Sequence, residues 1–247
     1  MTSLQNKTLI VTGASMGIGR AIALGLAREG VDLVLNARGH EALEEVGTRC
    51  TEQGIRVATV QGDISRPEIV ARCAQKAEQS RNMFGFIHVA GILNPGPFIW
   101  ELEPEAFNQV MDTNVKASYL LIRHIVPVIL SRGQGVAVFV GSGAAERTQP
   151  GIGAYCAAKA AEEMLARQLA AETDRVTSFV FRPGIVDTRM QEQARQAGGG
   201  AADLLHRVFR PWKERGELLS PEQSAADLIG LLRKDPGQLH GRTFRAG

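Results

Sequence analysis

Short, mostly apolar runs alternate along the chain with longer segments in which apolar residues recur every three or four positions. The short runs are typical of buried strands, and they cover residues 7–11, 31–36, 55–60, 84–89, 136–140, 176–181 and 242–245. The longer segments predict helices over residues 17–30, 41–53, 67–80, 104–130, 154–172 and 221–233. Strands that alternate with helices of this length build βαβ units. The predicted fold class is therefore α/β, a doubly wound (Rossmann) parallel sheet of about seven strands with helices on both faces.

Two segments depart from this alternation. Residues 104–130 are long enough for one helix or for two placed end to end, and Pro127 is the expected irregularity within them. Residues 187–216 contain three consecutive glycines followed by a mixed apolar and basic stretch. No repeat, linker or change in composition divides the chain, so we interpret residues 1–247 as a single domain.

Composition restricts the classes of function. Apolar residues make up 44% and charged residues 22% of the 247 residues, as in an ordinary globular protein with a sizeable core. The net charge is only +2 and no block of Lys or Arg occurs, which argues against a nucleic-acid partner or a membrane surface. No apolar run reaches membrane-spanning length, and no signal-peptide pattern opens the chain. The three cysteines and five histidines show no metal or redox spacing, so we expect a cytoplasmic protein without a metal site.

A glycine-rich turn follows the first strand and leads into the first helix. Gly13 allows a tight turn, Gly17 a close approach of the backbone to a ligand, and Gly19 the packing of the helix against the strand. Such a turn brings backbone N–H groups and a helix N-terminus against a pyrophosphate. The alternative is a turn that only joins two elements, and its position after the first strand of an α/β pattern argues against that.

Residues at the ends of the second and third strands indicate which dinucleotide binds. The second strand ends without the carboxylate that would bind an adenosine 2′-OH, and Arg38 stands one residue beyond it. A guanidinium there can form charge-assisted hydrogen bonds with a 2′-phosphate, which favours NADP(H) over NAD(H), although a solvated surface arginine is the alternative. Asp63, after the third strand, is either an acceptor for the adenine amino group or a turn residue.

Tyr155 and Lys159 lie four residues apart and therefore share one face of a helix. A nearby cation lowers the pKa of a phenol from its usual value of about 10. A phenol tuned in this way can exchange a proton with an alcohol or a carbonyl near neutral pH. Ser142 precedes this pair by thirteen residues, at the end of the fifth strand.

The order and spacing of these motifs, together with Asn114 and Pro183-Gly184, resemble the short-chain dehydrogenase/reductase family over essentially the whole chain. The resemblance implies that Tyr155 is the general acid/base and that Ser142 hydrogen-bonds the substrate oxygen. It also implies that Lys159 lowers the phenol pKa and holds the nicotinamide ribose, and that Asn114 supports a water relay to Lys159. The residues expected to contact the cofactor are Gly13, Ser15, Met16, Gly17, Ile18, Gly19, Arg38, Asp63, Ile64, Ala90, Gly91, Tyr155, Lys159, Pro183, Gly184, Val186 and Thr188.

One motif departs from the family. The usual Asn-Asn-Ala-Gly after strand four is here His88-Val89-Ala90-Gly91. We expect the cofactor cleft to survive with altered hydrogen bonding, because Ala90 and Gly91 retain the close approach. His88 is expected to be a core histidine with satisfied hydrogen bonds rather than a catalytic residue.

The C-terminal half resembles the sepiapterin reductase and benzil reductase branch of the family. The last strand lacks the carboxylate with which sepiapterin reductase anchors its pterin, so the resemblance favours the reaction type over that substrate. Residues 187–216 lie where the family places its substrate lid. The apolar residues expected to line the substrate site, or only to pack the lid onto the body, are Met190, Leu204, Leu205, Val208, Phe209 and Trp212, with Trp100 from the loop after strand four.

The sequence thus predicts NADPH-dependent reduction of a ketone or vicinal diketone, with a small-molecule carbonyl as substrate. The alternatives are 3-oxoacyl-thioester reduction, which favours a basic patch for an acyl carrier protein, and a regulator that senses NADP(H) without turnover. Residues 114–130 and 154–172 carry more small and apolar residues than one buried face requires. We therefore expect a homodimer or homotetramer formed through these two helices.

Overall fold

Seven strands form one sheet in the computed structural model, which describes residues 4–80 and 82–247. The strand order is β3-β2-β1-β4-β5-β6-β7, and every neighbouring pair is parallel. The strands are β1 (Thr8–Thr12), β2 (Asp32–Ala37), β3 (Val57–Gln61), β4 (Met83–His88), β5 (Gly135–Val140), β6 (Val176–Arg182) and β7 (Thr243–Arg245). The predicted fold class is confirmed.

Helices cover both faces of the sheet, which is why β1, β2, β5 and β6 are buried at every position. The α-helices are α1 (Gly17–Arg28), α2 (His40–Thr51), α3 (Pro67–Glu78), α4 (Pro104–Met111), α5 (Ala117–Ser131), α6 (Gly153–Glu172), α7 (Arg189–Gln196), α8 (Ala202–Glu214) and α9 (Pro221–Leu232). Helices α1, α2 and α9 share one core with the sheet, and α3, α5 and α6 share another on the opposite face.

The strand order reverses between β1 and β4. The chain leaves the carboxyl ends of these two neighbouring strands toward opposite sides of the sheet, which opens a crevice between them. Both the glycine-rich turn and the altered His88-Val89-Ala90-Gly91 motif lie at this crevice.

The irregularity in residues 104–130 lies at Asn114 and not at Pro127. Helices α4 and α5 are joined end to end by a π-helical turn, Asp112–Lys116, while Pro127 lies within α5. The Asn114 side chain donates from Nδ2 to the Val110 carbonyl oxygen four residues earlier, at 2.8 Å, and to the Ile92 carbonyl oxygen at 3.1 Å. The π turn therefore coincides with a side chain that hydrogen-bonds to the backbone. Single π turns are frequent at functional sites.

Residues 187–216 are mostly helical. Helices α7 and α8 pack on each other across the mouth of the crevice. Across the described residues, no helix combines the length and the apolar character that crossing a bilayer requires.

Candidate active site

The glycine-rich turn at the end of β1 has a backbone that only glycine tolerates well. Gly13 and Gly17 have φ values of 65° and 52°. A Cβ atom at Gly13 would lie 2.9 Å from the backbone of Ala90, and one at Gly19 would overlap the Gly13 carbonyl oxygen. The turn therefore fits closely against both the end of β4 and its own helix α1, as the spacing predicts.

Arg38 lies at the same edge of the sheet as this turn. It is exposed directly after β2, and the preceding strand end is tied to the turn by a bond from the Ala14 N–H to the Asn36 carbonyl oxygen. The Asn36 amide donates to the Val60 and Gly62 carbonyl oxygens, which holds the ends of β2 and β3 together. Arg38 therefore lies outside the strand and is exposed, at the place where an adenosine 2′-phosphate would be expected.

The Asp63 side chain stabilises a turn, which is one of the two roles expected for it. Its Oδ1 accepts from the Ser65 N–H at 2.9 Å, and its carbonyl oxygen accepts from the Arg66 N–H. Ile64 beside it is buried.

Ser142, Tyr155 and Lys159 converge at the carboxyl end of β5. Tyr155 and Lys159 occupy successive turns of α6, with the Lys159 Nζ 5.7 Å from the centroid of the Tyr155 ring. Nζ donates to the Val140 carbonyl oxygen at 2.8 Å and to the Glu162 carboxylate at 2.6 Å. Ser142 caps the short 3-10 helix Gly143–Ala145, because its hydroxyl accepts from the Ala144 N–H.

Electrostatics at Tyr155 differ from the expectation. Burial raises the pKa of its phenol, while the Lys159 charge and the Ser142 hydroxyl act to lower it, and the net shift is upward. The expectation that the phenol pKa lies below its usual value is therefore wrong for this structure, although Lys159 acts in the expected direction. Burial also opposes the charge on Lys159, but the Glu162 carboxylate and Tyr155 overcome it, so that the pKa of Lys159 is raised.

Asn114, in the π turn, lies close to Lys159. Its Oδ1 is buried without a hydrogen-bond partner among the described residues. A Cβ at Gly91 would lie 2.6 Å from this oxygen and 3.8 Å from the Lys159 Nζ. Gly91 is therefore needed for the end of β4 to approach both groups.

A second buried ion pair supports the backbone of Ser142. The Arg182 guanidinium binds the Glu163 carboxylate through Nε at 2.9 Å and through a terminal nitrogen at 2.6 Å. Glu163 Oε1 accepts from the Ser142 N–H at 3.3 Å. Glu146 joins Arg182 to Arg245 of β7, with distances of 2.7 and 2.9 Å. This network connects the ends of β5, β6 and β7.

A cavity of about 420 Å³ joins these groups. Several residues predicted to contact the cofactor line it, namely Ile18, Gly91, Tyr155, Lys159, Pro183, Gly184, Val186 and Thr188. The position of a Cβ at Gly17 would be 3.4 Å from the Thr188 side chain, so the loop after β6 meets the glycine turn across the cleft.

The outer wall of the cavity is mainly apolar. It is formed by Leu93, Ile152, Met190, Val208, Phe209 and Trp212. Leu205 is buried behind this wall, which shows that the lid residues both line the site and pack the lid. Two predicted wall residues are elsewhere: Leu204 faces outward on α8, and Trp100 is 76% exposed and stacks on Phe98. Trp100 lies in the loop after β4, and the sequence of that loop does not indicate where its side chain points.

Several residues of the site were not expected from the sequence. Glu162, Glu163 and Arg182 are buried around Tyr155 and Lys159, and Arg147, Thr148 and Gln149 line the cavity. The spacing of Glu162 from Lys159 places both on one helix face, which was a usable signal. The contacts of Glu163 and Arg182 join separate elements and have no comparable local signal. No group of three metal-ligating side chains occurs in the described ranges.

Comparison with known proteins shows similarity over most of the chain. A family model described as short chain dehydrogenase matches residues 7–198. The NADPH-dependent pterin aldehyde reductase of Arabidopsis thaliana is 33% identical over 188 residues, which are 74% of this chain and 76% of that protein. The 1-deoxy-11-beta-hydroxypentalenate dehydrogenase of Streptomyces exfoliatus is 34% identical over 205 residues, 81% of this chain and 74% of that protein. L-Sorbose reductase from Gluconobacter frateurii, in a crystal structure with NADPH and L-sorbose, has a TM-score of 0.86 at 26% identity and covers 99% of this chain and 97% of its own.

Proposed function

The chain belongs to the short-chain dehydrogenase/reductase family, and we propose that it is an NADPH-dependent reductase that converts a bulky apolar or aromatic ketone or vicinal diketone to an alcohol. Membership establishes an oxidoreductase that acts on a small molecule. The substrate class, the roles of the site residues and the state of assembly are the proposal.

The crevice between β1 and β4 fits a dinucleotide. A Cβ would obstruct the turn at Gly13, and Gly17 and Gly91 keep the cleft open on either side of it. Gly13, Ser15, Met16, Gly17, Ile18 and Gly19 would hold the pyrophosphate, and Arg38 the 2′-phosphate. Asp63, Ile64 and Ala90 would border the adenosine half, with Pro183, Gly184, Val186 and Thr188 along the nicotinamide half. NADPH supplies the hydride.

The protein's own residues hold the carbonyl and provide the proton. The Ser142 and Tyr155 hydroxyls border the cavity together, so a carbonyl oxygen can accept a hydrogen bond from each. Tyr155 then donates its proton to that oxygen, and a raised phenol pKa keeps it protonated for this purpose. Lys159, fixed by Val140 and Glu162, stabilises the phenolate that remains. Asn114, whose buried Oδ1 has no hydrogen-bond partner among the described residues, would support a water relay to Lys159.

One observation carries the proposal: the serine, tyrosine and lysine lie in one cavity with an apolar outer wall. The walls formed by Met190, Phe209 and Trp212 suit an aromatic or branched substituent better than a sugar. Among the described residues, none that lines the cavity carries a carboxylate, so none of them selects a cationic substrate.

A spectrophotometric screen tests this function. Oxidation of NADPH and of NADH is followed with vicinal diketones, aromatic ketones, pterins and acetoacetyl thioesters. The proposal expects the highest kcat/KM for an aromatic diketone or ketone with NADPH. A clear preference for pterins or for acetoacetyl thioesters would overturn the substrate class while leaving the reaction type.

Two rival functions are separated by the same screen. A carrier-protein reductase would need a basic docking surface, and two of the three arginines at the cavity, Arg182 and Arg245, are already bound to carboxylates. A regulator that only senses NADP(H) has no need of proton-transfer groups. It would become the better account if no carbonyl in the panel supported NADPH oxidation.

Exposed apolar side chains on α4, α5 and α6 support self-association. Phe107, Tyr119 and Met164 are exposed on these three helices, and Met164 is 57% accessible. Burying such a surface against a second copy is the usual role of an apolar helix face. Sedimentation should give a dimer or tetramer, and Met164→Glu should weaken it, with Leu204→Glu on the exposed side of α8 as the control. A clean monomer near 26.6 kDa in the wild type would contradict the proposal.

A further inference from the structure

A line of buried polar side chains continues behind the catalytic pair. Lys159 Nζ lies 2.6 Å from Glu162 Oε2, and the other oxygen, Oε1, lies 4.0 Å from His88 Nε2. The opposite ring nitrogen of His88, Nδ1, is 2.8 Å from the Thr12 hydroxyl. Glu162, His88 and Thr12 are all inaccessible to solvent. The line therefore runs from the active site to the carboxyl end of β1.

The hydrogen bonds of Thr12 fix the tautomer of His88. Thr12 Oγ1 accepts from the Val89 and Ala90 N–H groups, each at 3.1 Å. These two bonds use both lone pairs of the hydroxyl oxygen, so its own hydrogen must be donated to His88 Nδ1. Burial, and next the charge on Lys159, lower the pKa of His88 to about 3, so the ring is neutral. A neutral ring that accepts at Nδ1 carries its proton on Nε2, the nitrogen that faces Glu162.

The two facing atoms lie 4.0 Å apart, and the Asn114 backbone also acts on His88 as the Ser118 side chain acts on Glu162. His88 Nε2 and Glu162 Oε1 are both buried, and neither has a hydrogen-bond partner among residues 4–80 and 82–247. A buried carboxylate is costly without nearby donors or an opposite charge. The titratable and polar groups that face Glu162 are Lys159, Tyr155 and Glu163 from α6, His88 from β4 and Ser118 from α5. Burial raises the pKa of Glu162 to about 7 and Lys159 opposes that rise, so the carboxylate is charged in the alkaline range.

The Lys159 ammonium is therefore shared between two neighbours. It lowers the pKa of Tyr155, whereas the negative charge of Glu162 raises it. An apolar residue at position 162 would remove this negative charge, and the phenol would then face the Lys159 ammonium alone for as long as Lys159 stays protonated.

We propose that Glu162 is a positioning residue of the catalytic centre, which anchors the Lys159 ammonium and limits the positive charge that it presents to Tyr155. His88, held by Thr12 with its proton on Nε2, supports the free oxygen of Glu162. This inference rests on the proposed role of Tyr155 as proton donor. The same arrangement accounts for the histidine at position 88 of the altered motif, since His88 on β4 and Glu162 on α6 act together.

Direct titration of Tyr155 tests the inference. The chain has two tyrosines, so in a Tyr119→Phe background the appearance of tyrosinate absorbance reports Tyr155 alone. Glu162→Gln and Glu162→Met both remove the charge, and either one suffices if it is folded by circular dichroism. Each should lower the tyrosinate midpoint, because the ammonium that remains on Lys159 is no longer offset. A raised midpoint would mean that Lys159 loses its charge together with Glu162, and it would overturn the inference. Glu162→Asp should return the midpoint most of the way to the Tyr119→Phe value.

Glu172→Gln is the matched control, since it makes the same change at an exposed position of α6. It should leave the midpoint unchanged. An equal midpoint in the Glu162 variants and their Tyr119→Phe parent, or an equal shift in Glu162→Asp and Glu162→Gln, would overturn the inference.

A second readout uses turnover in the holoenzyme. Reduction needs a protonated Tyr155, so kcat/KM falls as pH rises through its pKa, and this alkaline limb should move to lower pH in Glu162→Gln. A merely structural role would lower activity without moving the limb. The absorbance titration needs neither cofactor nor substrate. A failed carbonyl screen would therefore count against the proposed function alone, and an unmoved midpoint against this inference alone.

Discussion

The two halves of the sheet hold their functional groups by different means. Around β1 and β2 the geometry is set by backbone conformation, with positive φ at Gly13 and Gly17 and an exposed Arg38 beyond the strand end. Around β5 and β6 it is set by buried ions, with Lys159 bound to Glu162 and Arg182 bound to Glu163. Backbone conformation is encoded locally, whereas an ion pair depends on what the fold brings together. Changes in the two halves should therefore differ in whether they affect binding or chemistry.

The largest effect is expected from the buried half. Tyr155→Phe removes the proposed proton donor and leaves the ring, so kcat should fall by ~10²–10⁴-fold. The Kd for NADPH, measured by fluorescence, should change little. Tyr119→Phe removes the same hydroxyl from an exposed position and is the control. Turnover within a few-fold of wild type in Tyr155→Phe would sink the assignment.

A change in the exposed half should act on binding instead. Arg38→Asp removes the cation and adds a charge that repels a 2′-phosphate. The loss of one charge-assisted contact, about 1.5–3 kcal/mol, should weaken NADPH binding by roughly ten- to hundred-fold and reverse the preference toward NADH. Arg28→Asp, at the far end of α1, makes the same change in charge and should have no such effect. A wild-type protein that already prefers NADH would contradict the role of Arg38.

The glycine turn can be tested without changing any charge. Gly13→Ala forces a side chain into a left-handed conformation and against Ala90, so the free energy of unfolding should fall by about 1–2 kcal/mol or more. NADPH affinity should fall with it. Gly230→Ala in α9 is the control, because nothing lies near its Cβ position and alanine favours a helix. Equal thermal unfolding of the two variants would show that the turn is not constrained as described.

The last comparison concerns stability in acid. In the unfolded chain His88 has its ordinary pKa of 6.5, and in the fold burial lowers it to about 3. Between these values the unfolded state binds more protons at His88, so the folded state loses stability as the pH falls through this window. His88→Asn should therefore lose less stability on acidification than the wild type. The comparison is made by denaturant unfolding at several pH values, and parallel curves would contradict a buried neutral His88.

The same contrast explains what the sequence could predict. The strands, the glycine turn and the Tyr155–Lys159 face follow from short-range periodicity, and the structure reproduces them. An irregularity is expected at Pro127, because proline inside a helix is a local signal, whereas the structure has its π turn around Asn114. A side-chain bond to a carbonyl four residues earlier leaves no comparable mark in the sequence. The expectation that the pKa of Tyr155 is lowered was also wrong. Burial and the Glu162 charge arise from packing of α6 on the sheet, which no spacing within α6 reveals.

The lid shows the same limit on a smaller scale. The apolar residues of 187–216 were expected either to line the substrate site or only to pack the lid, and Met190, Val208, Phe209 and Trp212 line the cavity. Leu204 and Trp100 were assigned to it by composition alone, and the structure turns both outward.

Isotope transfer shows whether the protein moves hydride from NADPH to a carbonyl carbon. The wild-type protein is incubated with NADPH that carries deuterium at the transferable position of the nicotinamide and with an aromatic vicinal diketone, and the product is analysed by mass spectrometry. The account predicts an alcohol with a single deuterium on the carbinol carbon, formed by the wild type and nearly abolished in Tyr155→Phe. An alcohol without deuterium, or no reaction with any carbonyl of the panel, would contradict it.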